Sequence, residues 1–169
     1  MTSVSVRPWQ LVDLPAIRAL IWRSWLATYS GFIPREDLRT YFDAHYTLKA
    51  LQAHFADEYV SGFVLEQEGN LCGYARTRIH LEMDRFHLAS LYLLPEFEGR
   101  GLGGILLQEV LNEAGRRGFD NLWLGVMVPN TRALAWYQKR GFDFLVSMPF
   151  TMGDTTVDHL IGCLKIDKR

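Results

Sequence analysis

The sequence has few cysteines, no long apolar run and no excess of charge of either sign. Its 169 residues include two cysteines, Cys72 and Cys163, and 18 Lys+Arg against 19 Asp+Glu. Two thiols form neither a disulfide framework nor a four-ligand zinc site, so we expect no metal and two small buried apolar residues. No apolar stretch approaches the roughly 18–20 residues that span a bilayer. The net charge of −1 lacks the basic footprint of nucleic-acid-binding proteins. We therefore expect neither a membrane nor a nucleic acid as a partner.

The length and the N-terminal segment indicate a simple organisation. Residues 1–8 lack the basic and then apolar order of a signal peptide, so we expect a cytoplasmic protein. A chain of 169 residues with 49% hydrophobic residues can bury a core of its own. No repeat or linker interrupts it, and we predict a single domain over residues 1–169.

Hydrophobic periodicity predicts alternating strands and helices. Period-2 segments predict strands at 4–8, 62–67, 71–80, 87–94, 121–126, 142–146 and 158–165. Helical spacing predicts helices at 14–28 (with Asp13 as the N-cap), 35–44, 47–55, 105–116 and 130–140. A whole helix separates strand 87–94 from strand 121–126, which makes that pair parallel, while the remaining neighbours form antiparallel hairpins. The fold class is therefore α/β.

The most informative segment joins a strand to the N-terminus of a helix. Residues 99–104 read Gly-Arg-Gly-Leu-Gly-Gly, four glycines in six positions. Such a junction presents free backbone N–H groups and the positive end of a helix dipole, and glycine lets an anion approach closely. A purely structural turn is the simpler alternative. The glycine content favours an anion-binding loop.

The same loop also satisfies the dinucleotide pattern G-x-G-x-x-G, which raises the alternative of an NAD(P)-binding protein. Asp120 follows at about the spacing at which that pattern has an acidic residue. However, Asp120 precedes its strand instead of ending it, and only one βαβ unit is visible. We rank the dinucleotide interpretation lower for these reasons.

The residues around the loop resemble the acyl-CoA-binding motif of the GNAT (N-acetyltransferase) superfamily. Leu91-Tyr92-Leu93-Leu94-Pro95 is similar to the strand end that precedes the family's Gln/Arg-x-x-Gly-x-Gly/Ala signature, with Gly101 and Gly103 as the glycines. Glu98 stands at the Gln/Arg position, an acidic residue where a phosphate would bind, and Arg100 is a candidate compensating cation. The resemblance implies a mixed, mostly antiparallel sheet with one central parallel pair and helices on both faces.

A second motif downstream strengthens the resemblance. Asn130-x-x-Ala133-x-x-Trp136-Tyr137, followed by Gly141-Phe142, is similar to the helix that completes the family's cofactor site. Asn130 is equally consistent with a helix N-cap, and Tyr137 with a core aromatic residue. The resemblance assigns to acetyl-CoA binding Tyr92, Leu93, Gly99, Arg100, Gly101, Leu102, Gly103, Gly104, Asn130 and Tyr137.

The implied reaction is direct attack of a primary amine on the thioester of acetyl-CoA within one ternary complex. The resemblance implies that Tyr137 protonates the leaving thiolate and that a backbone N–H near Leu93 polarises the thioester oxygen. His87 occupies the position where some members have a glutamate base, and its ordinary pKa near 6.5 suits proton transfer. The fallback bases are His80, Glu82 and Asp84.

The acceptor is where the sequence is least informative. We expect the segments 29–34 and 148–152 to flank its cleft, and Trp22, Trp25 and Phe32 to line it or to form core. A small-molecule amine and a peptide N-terminus both stay open, as does a homodimer through the last strands. A non-catalytic acyl-CoA-binding or sensing domain is the alternative function, because Glu98 departs from the motif and no carboxylate base is evident.

Overall fold

The computed structural model describes residues 3–167, and within them seven strands form one sheet in the order β1-β2-β3-β4-β5-β7-β6. The strands are β1 (Val4–Pro8), β2 (Val60–Gln67), β3 (Asn70–His80), β4 (Arg85–Leu93), β5 (Asn121–Met127), β6 (Asp143–Met152) and β7 (Thr155–Lys165). Among the described strands only β4 and β5 pair in parallel, so the predicted mixed α/β sheet is confirmed. The ends of the predicted domain, 1–2 and 168–169, lie outside the described residues.

Helices cover both faces of this sheet, as the fold class required. They are α1 (Leu14–Tyr29), α2 (Arg35–His45), α3 (Leu48–Ala56), α4 (Leu102–Arg116) and α5 (Thr131–Gln138). The first three enclose an aromatic core around the fully buried Trp25 and Tyr74. The last two pack on the opposite face, where Leu106 and Val110 of α4 meet Leu122 of β5. The site described below lies where the sheet between these two cores opens.

Several predicted boundaries differ from the structure for local reasons. Helix α4 begins at Leu102, three residues before the predicted start, because Gly101 adopts a φ of +77° and turns the chain directly into the helix. The final strands β6 and β7 are longer than predicted and close at Gly153, whose φ is +57°. Pro149 fits inside β6 because β6 is an edge strand with an unpaired N–H side.

Asp13 stands at the N-cap position of α1 as predicted, but its side chain makes no capping hydrogen bond. The second helical residue is Pro15, which has no N–H to donate. The Asp13 carboxylate instead accepts from Arg7 at 2.8 Å and from the Gln10 backbone N–H at 2.7 Å. Arg7 thereby keeps the pKa of Asp13 below its usual value.

Strands β4 and β5 separate soon after they pair. Their parallel register holds Phe86 against Leu122 and His87 against Trp123, with no further pair among the described residues. Next to this point the β3–β4 register shifts, and Ala89 is the extra residue of a bulge in β4. Bulges bend a strand and re-aim its side chains. The two strands therefore diverge and leave a cleft that passes into the sheet.

The edge strand β6 exposes apolar side chains. Leu145 and Met148 are 63% and 49% exposed. The homodimer left open by the sequence stays a prediction, since a single chain is described.

Candidate active site

A cleft of about 540 Å³ occupies the space between the diverging strands β4 and β5. Four of the residues that the sequence assigns to catalysis or to acetyl-CoA binding line it together: His87, Tyr92, Asn130 and Tyr137. They come from β4, from the start of α5 and from α5 itself, so residues distant in sequence meet at one opening. Leu93 and the glycine loop lie outside its lining.

The glycine loop has the backbone that the sequence predicts for an anion-binding turn. Gly99 and Gly101 have φ values of +74° and +77°, and a Cβ built at either position would meet nothing within 4 Å. Leu102 and Gly103 form the first turn of α4, whose initial N–H groups have no intrahelical partner. A groove of about 410 Å³ runs beside this turn and is lined by Gly101 and Gly104. The loop therefore offers open space and oriented donors.

Charged side chains around the loop explain how Glu98 is accommodated. Arg132 of α5 donates a hydrogen bond to the Glu98 carboxylate and forms an exposed ion pair with it. Arg100 lies over the Phe97 ring at 5.3 Å. Arg140, which sequence reasoning missed, stacks on Trp136 at 3.6 Å, and its Nη2 lies 3.7 Å from a Cβ built on Gly104. The acidic departure from the family motif thus has an ion-pair partner at the protein surface.

The backbone of β4 presents donors to the cleft side. Leu94 donates its N–H to the Cys72 carbonyl of β3 at 2.9 Å. Because N–H direction alternates along a strand, the N–H of Leu93 is directed to the side of β5. This direction is compatible with the predicted contact to a thioester oxygen.

Tyr137 and Asn130 are held by α5. Asn130 caps the helix, its side-chain oxygen accepting from the Ala133 N–H at 3.2 Å, and it also lines the cleft. Tyr137 is buried, and burial raises the pKa of its hydroxyl well above the ordinary value of 10. The hydroxyl therefore keeps its proton at neutral pH and can act as a donor.

His87 is a neutral imidazole in this setting. Burial, followed by electrostatic interactions with His80, Arg85 and His159, lowers the pKa of His87 to about 4. Its ring stands edge-on to the His80 ring at 5.5 Å between centroids. His80 Nδ1 in turn lies 3.8 Å from Glu82, which is 74% exposed on its side chain. His80 is therefore a neighbour of both His87 and the exposed Glu82.

The predicted acceptor residues divide between cleft and core. Of the segment 29–34 only Tyr29 lines the cleft, and of 148–152 only Phe150 and Met152 do. Trp25 both lines the cleft and fills the core, whereas Trp22 and Phe32 only pack against the core. Of the fallback bases, His80 lines the cleft, but Glu82 and Asp84 do not. Both acidic fallback bases are therefore absent from the cleft lining.

Arg76 and Ser90 are two polar residues among the cleft residues that escaped the sequence analysis. They face each other across β3 and β4 and are only 7% and 3% exposed. The period-2 series Tyr74, Arg76, Arg78 was the available signal, since it puts polar groups on one face of a strand whose other positions are small or apolar.

The two thiols behave differently from each other. Cys72 is fully buried, as expected. Cys163 is only half-buried, with its sulfur 3.8 Å from the Asn121 side-chain oxygen, so its predicted burial is wrong.

Residues 3–167 contain neither a membrane-spanning helix nor a cluster of metal ligands. No helix there combines the length and apolar character needed to cross a bilayer. No three His, Cys, Asp or Glu side chains in the same range are grouped as metal ligands would be.

Comparisons with known proteins agree on one family. The family model described as "Acetyltransferase (GNAT) family" matches residues 14–142. An uncharacterised N-acetyltransferase of Mycobacterium bovis is 27% identical over 143 residues, which cover 85% of this chain and 91% of that protein. The ribosomal protein bS18 alanine N-acetyltransferase of Escherichia coli K12 is 32% identical over 95 residues, covering 56% of this chain and 62% of that protein.

Solved structures share the fold. The PaiA N-acetyltransferase of Thermoplasma acidophilum in complex with coenzyme A superposes with a TM-score of 0.83 at 21% identity, covering 96% of this chain and 99% of that one. The spermidine N-acetyltransferase of Vibrio cholerae in complex with CoA and spermine has a TM-score of 0.73 at 20% identity, covering 96% and 95% of the two chains. At these identities the likeness establishes the common architecture.

Proposed function

The chain belongs to the acetyltransferase (GNAT) family and is therefore an acyltransferase, and on this premise we propose that it transfers the acetyl group of acetyl-CoA to a primary amine by direct attack in a ternary complex. The observation that carries the proposal is the meeting of Tyr137 and His87 in one cleft, between strands that have separated. A proton acceptor and a proton donor thus border the same opening.

Binding of the acetyl donor is assigned to the loop and to the cleft edges. Gly99, Arg100, Gly101, Leu102, Gly103 and Gly104 would hold the pyrophosphate through N–H groups at the start of α4. Three observations support this: the positive φ values of the loop, the space beside it, and the pairing of Glu98 with Arg132. Coenzyme A in the PaiA and spermidine acetyltransferase structures supports the same ligand class.

The chemical step needs a free amine. The amine nitrogen attacks the thioester carbon, the C–S bond breaks, and the proton of the amine leaves by way of His87. Since the pKa of His87 is about 4, this imidazole is unprotonated at neutral pH but a weak base. We assign it the transfer of the proton toward His80 and solvent. The Leu93 N–H would stabilise charge on the thioester oxygen, and Tyr137 would donate its proton to the departing sulfur.

Family membership favours this reaction over the two alternatives that the sequence left open. An NAD(P) protein is not what the family model describes. The non-catalytic acyl-CoA sensor was considered because Glu98 would repel a bound phosphate. Arg132 forms an ion pair with Glu98 and so opposes this repulsion.

Calorimetric titration with acetyl-CoA, followed by detection of released CoA over a panel of amines, tests the proposal. We expect binding and acceptor-dependent CoA release. Binding without release for any amine would favour the sensor, and the absence of binding would contradict acetyl transfer altogether. Melting-temperature measurements test the alternative of an NAD(P)-binding protein. That alternative predicts stabilisation by a nicotinamide cofactor and none by acetyl-CoA.

A further inference from the structure

The cleft contains a buried guanidinium without a carboxylate partner. Arg76 is 7% exposed and its Nε lacks a hydrogen-bond partner, and within residues 3–167 it takes part in no ion pair. A buried charge left unpaired costs several kcal/mol, so such groups are normally paired. The neighbouring Arg78, in contrast, is paired with Asp57 at 3.1 Å. Arg76 is therefore prepared for an anion from outside the chain.

A second unpartnered donor stands directly beside it. Ser90 is 3% exposed, and its hydroxyl also lacks a hydrogen-bond partner. Ser90 and Arg76 are paired across β4 and β3, and both line the cleft. Paired residues in antiparallel strands have Cβ atoms about 4.5–5.5 Å apart, so one small oxyanion can reach both side chains.

The charged residues of the cleft lining also favour an anionic ligand. Its lining includes Arg76, Arg78, His80, His87 and His159 but, among the described residues, no aspartate or glutamate. An acceptor with several positive charges would meet a guanidinium without a compensating carboxylate. An acceptor that carries one anionic group would instead complete the pair.

The anion site lies on the α1 side of the sheet, away from the glycine loop. Tyr74, two positions before Arg76 on β3, packs in the core beneath α1–α3, whereas the loop leads into α4 on the other face. None of residues 99–104 lines the cleft. The pyrophosphate assigned to the loop is therefore separate from the anion at Arg76.

From these observations we infer that the acceptor is an amino carboxylate, whose carboxylate binds Arg76 and Ser90 while its amine faces His87. This inference rests on the proposed acetyl transfer. His87 and Ser90 are three residues apart on β4, a rise of about 10 Å or less given the bulge at Ala89. Two hydrogen bonds of about 3 Å and the short amine-to-carboxylate spacing of an amino acid fill that distance. A single carboxylate fits the guanidinium fork and the hydroxyl.

The kinetic test compares acceptors that differ only in the carboxylate. With saturating acetyl-CoA, CoA release is measured for L-amino acids, for the matching L-amino acid amides, for aminoalkyl phosphates and for spermidine. We expect kcat/KM for the best amino acid to exceed that for its amide by about 10- to 100-fold, the size of a charged hydrogen bond. Equal or better turnover of amides, phosphates or spermidine would overturn the inference.

Variants separate the anion site from the rest of the enzyme. Arg76→Met and Ser90→Ala should each lower kcat/KM for the amino acid while leaving that for the amide within about threefold. Arg39→Met is the matched control, because Arg39 is paired with Asp43 outside the cleft and should preserve the carboxylate preference. Loss of the preference in the control, or its persistence in Arg76→Met, would refute the assignment.

A binding measurement provides a readout without turnover. The amino acid preferred in the kinetic panel, added without acetyl-CoA, should raise the melting temperature of the parent protein and not that of Arg76→Met. Arg76→Met itself should melt at or above the parent, since an unpaired buried charge is removed. Should it fail to fold, Ser90→Ala carries the same comparison. If acetyl-CoA binds and amines are acetylated without carboxylate preference, the inference alone fails; if acetyl-CoA does not bind, both proposals fail.

Discussion

Replacing His87 by glutamine tests whether the cleft desolvates a functional imidazole. Burial is the largest cause of the lowered pKa of His87, followed by electrostatic interactions with His80, Arg85 and His159, which together bring it to about 4. In the unfolded chain the pKa of a histidine is about 6.5. At a pH between these two pKa values, the unfolded state therefore binds a proton that the folded state does not bind.

The sign and the size of the effect follow from this difference. A folded-state pKa below the unfolded value gives stability that is fully present above about pH 6.5 and is lost as the pH falls toward 4. For His87 alone the loss at pH 4 is about 3 kcal/mol, taking 1.36 kcal/mol per unit of pKa difference. His87→Gln lacks this titration. Its stability relative to the parent should rise by about that amount from pH 7.5 to pH 4.

Urea unfolding of both proteins at intervals from pH 4 to pH 8 measures the difference directly, and the other titrating groups cancel. Titration of the His87 ring protons by NMR gives the pKa independently. A constant difference in the free energy of unfolding across this range would refute the desolvated imidazole. The same would follow from an NMR pKa near 6.5.

His54 provides the matched control. Burial and the charges of Arg76 and Arg78 lower the pKa of His54 to about 4 as well, but His54 does not line the cleft. His54→Gln should therefore repeat the pH-dependent stability change and keep kcat/KM within about threefold. His87→Gln should in addition lower kcat by about 10- to 100-fold, which is below or just at the lower limit of typical general-base effects, since the pKa of His87 is far below neutrality.

Three further predictions concern the acetyl donor and the helix α5. Tyr137→Phe should lower kcat by about 10- to 100-fold with little change in the KM for acetyl-CoA. The loss is limited because a thiolate can leave without a proton donor. An unchanged kcat in steady-state assays would exclude Tyr137 as the acid. Gly101→Ala should weaken acetyl-CoA binding at least tenfold by calorimetry, whereas Gly118→Ala should leave it intact, although both glycines have positive φ and open surroundings; equal affinities would remove the loop from the site. Asn130→Ala should lower the free energy of unfolding by about 1 kcal/mol and Tm by about 2–4 °C through loss of the helix cap, and calorimetry showing no change would contradict the capping role.

Local features of the sequence specified much of the fold. Alternating and helical apolar patterns predicted each of the strands and helices described above. The reason is that side chains on the buried face recur every 2 residues in a strand and every 3.6 residues in a helix. Gly101, which belongs to the glycine loop predicted from the sequence, has a positive φ. The predicted ends of an element were less accurate where a neighbouring strand determines its length. The length of β6 depends on β7, which pairs along it as far as Met152.

Local sequence patterns identified only part of the candidate site. His87, Asn130 and Tyr137 were identified because a family motif fixes their spacing, and the structure brings them to one cleft. Arg76 and Ser90 belong to no motif and lie on separate strands, so only the register of β3 with β4 brings them together.

The sequence by itself determined the order of the elements, the glycine turn before α4 and the family, because these follow from backbone preferences and spacings within a few residues. Only the tertiary structure decided which charges are paired and which are buried alone. Glu98 met Arg132 across the loop, while Arg76 was left in the cleft without a carboxylate. Desolvation and pairing depend on distances between segments far apart in the chain, and those distances exist only once the sheet has formed.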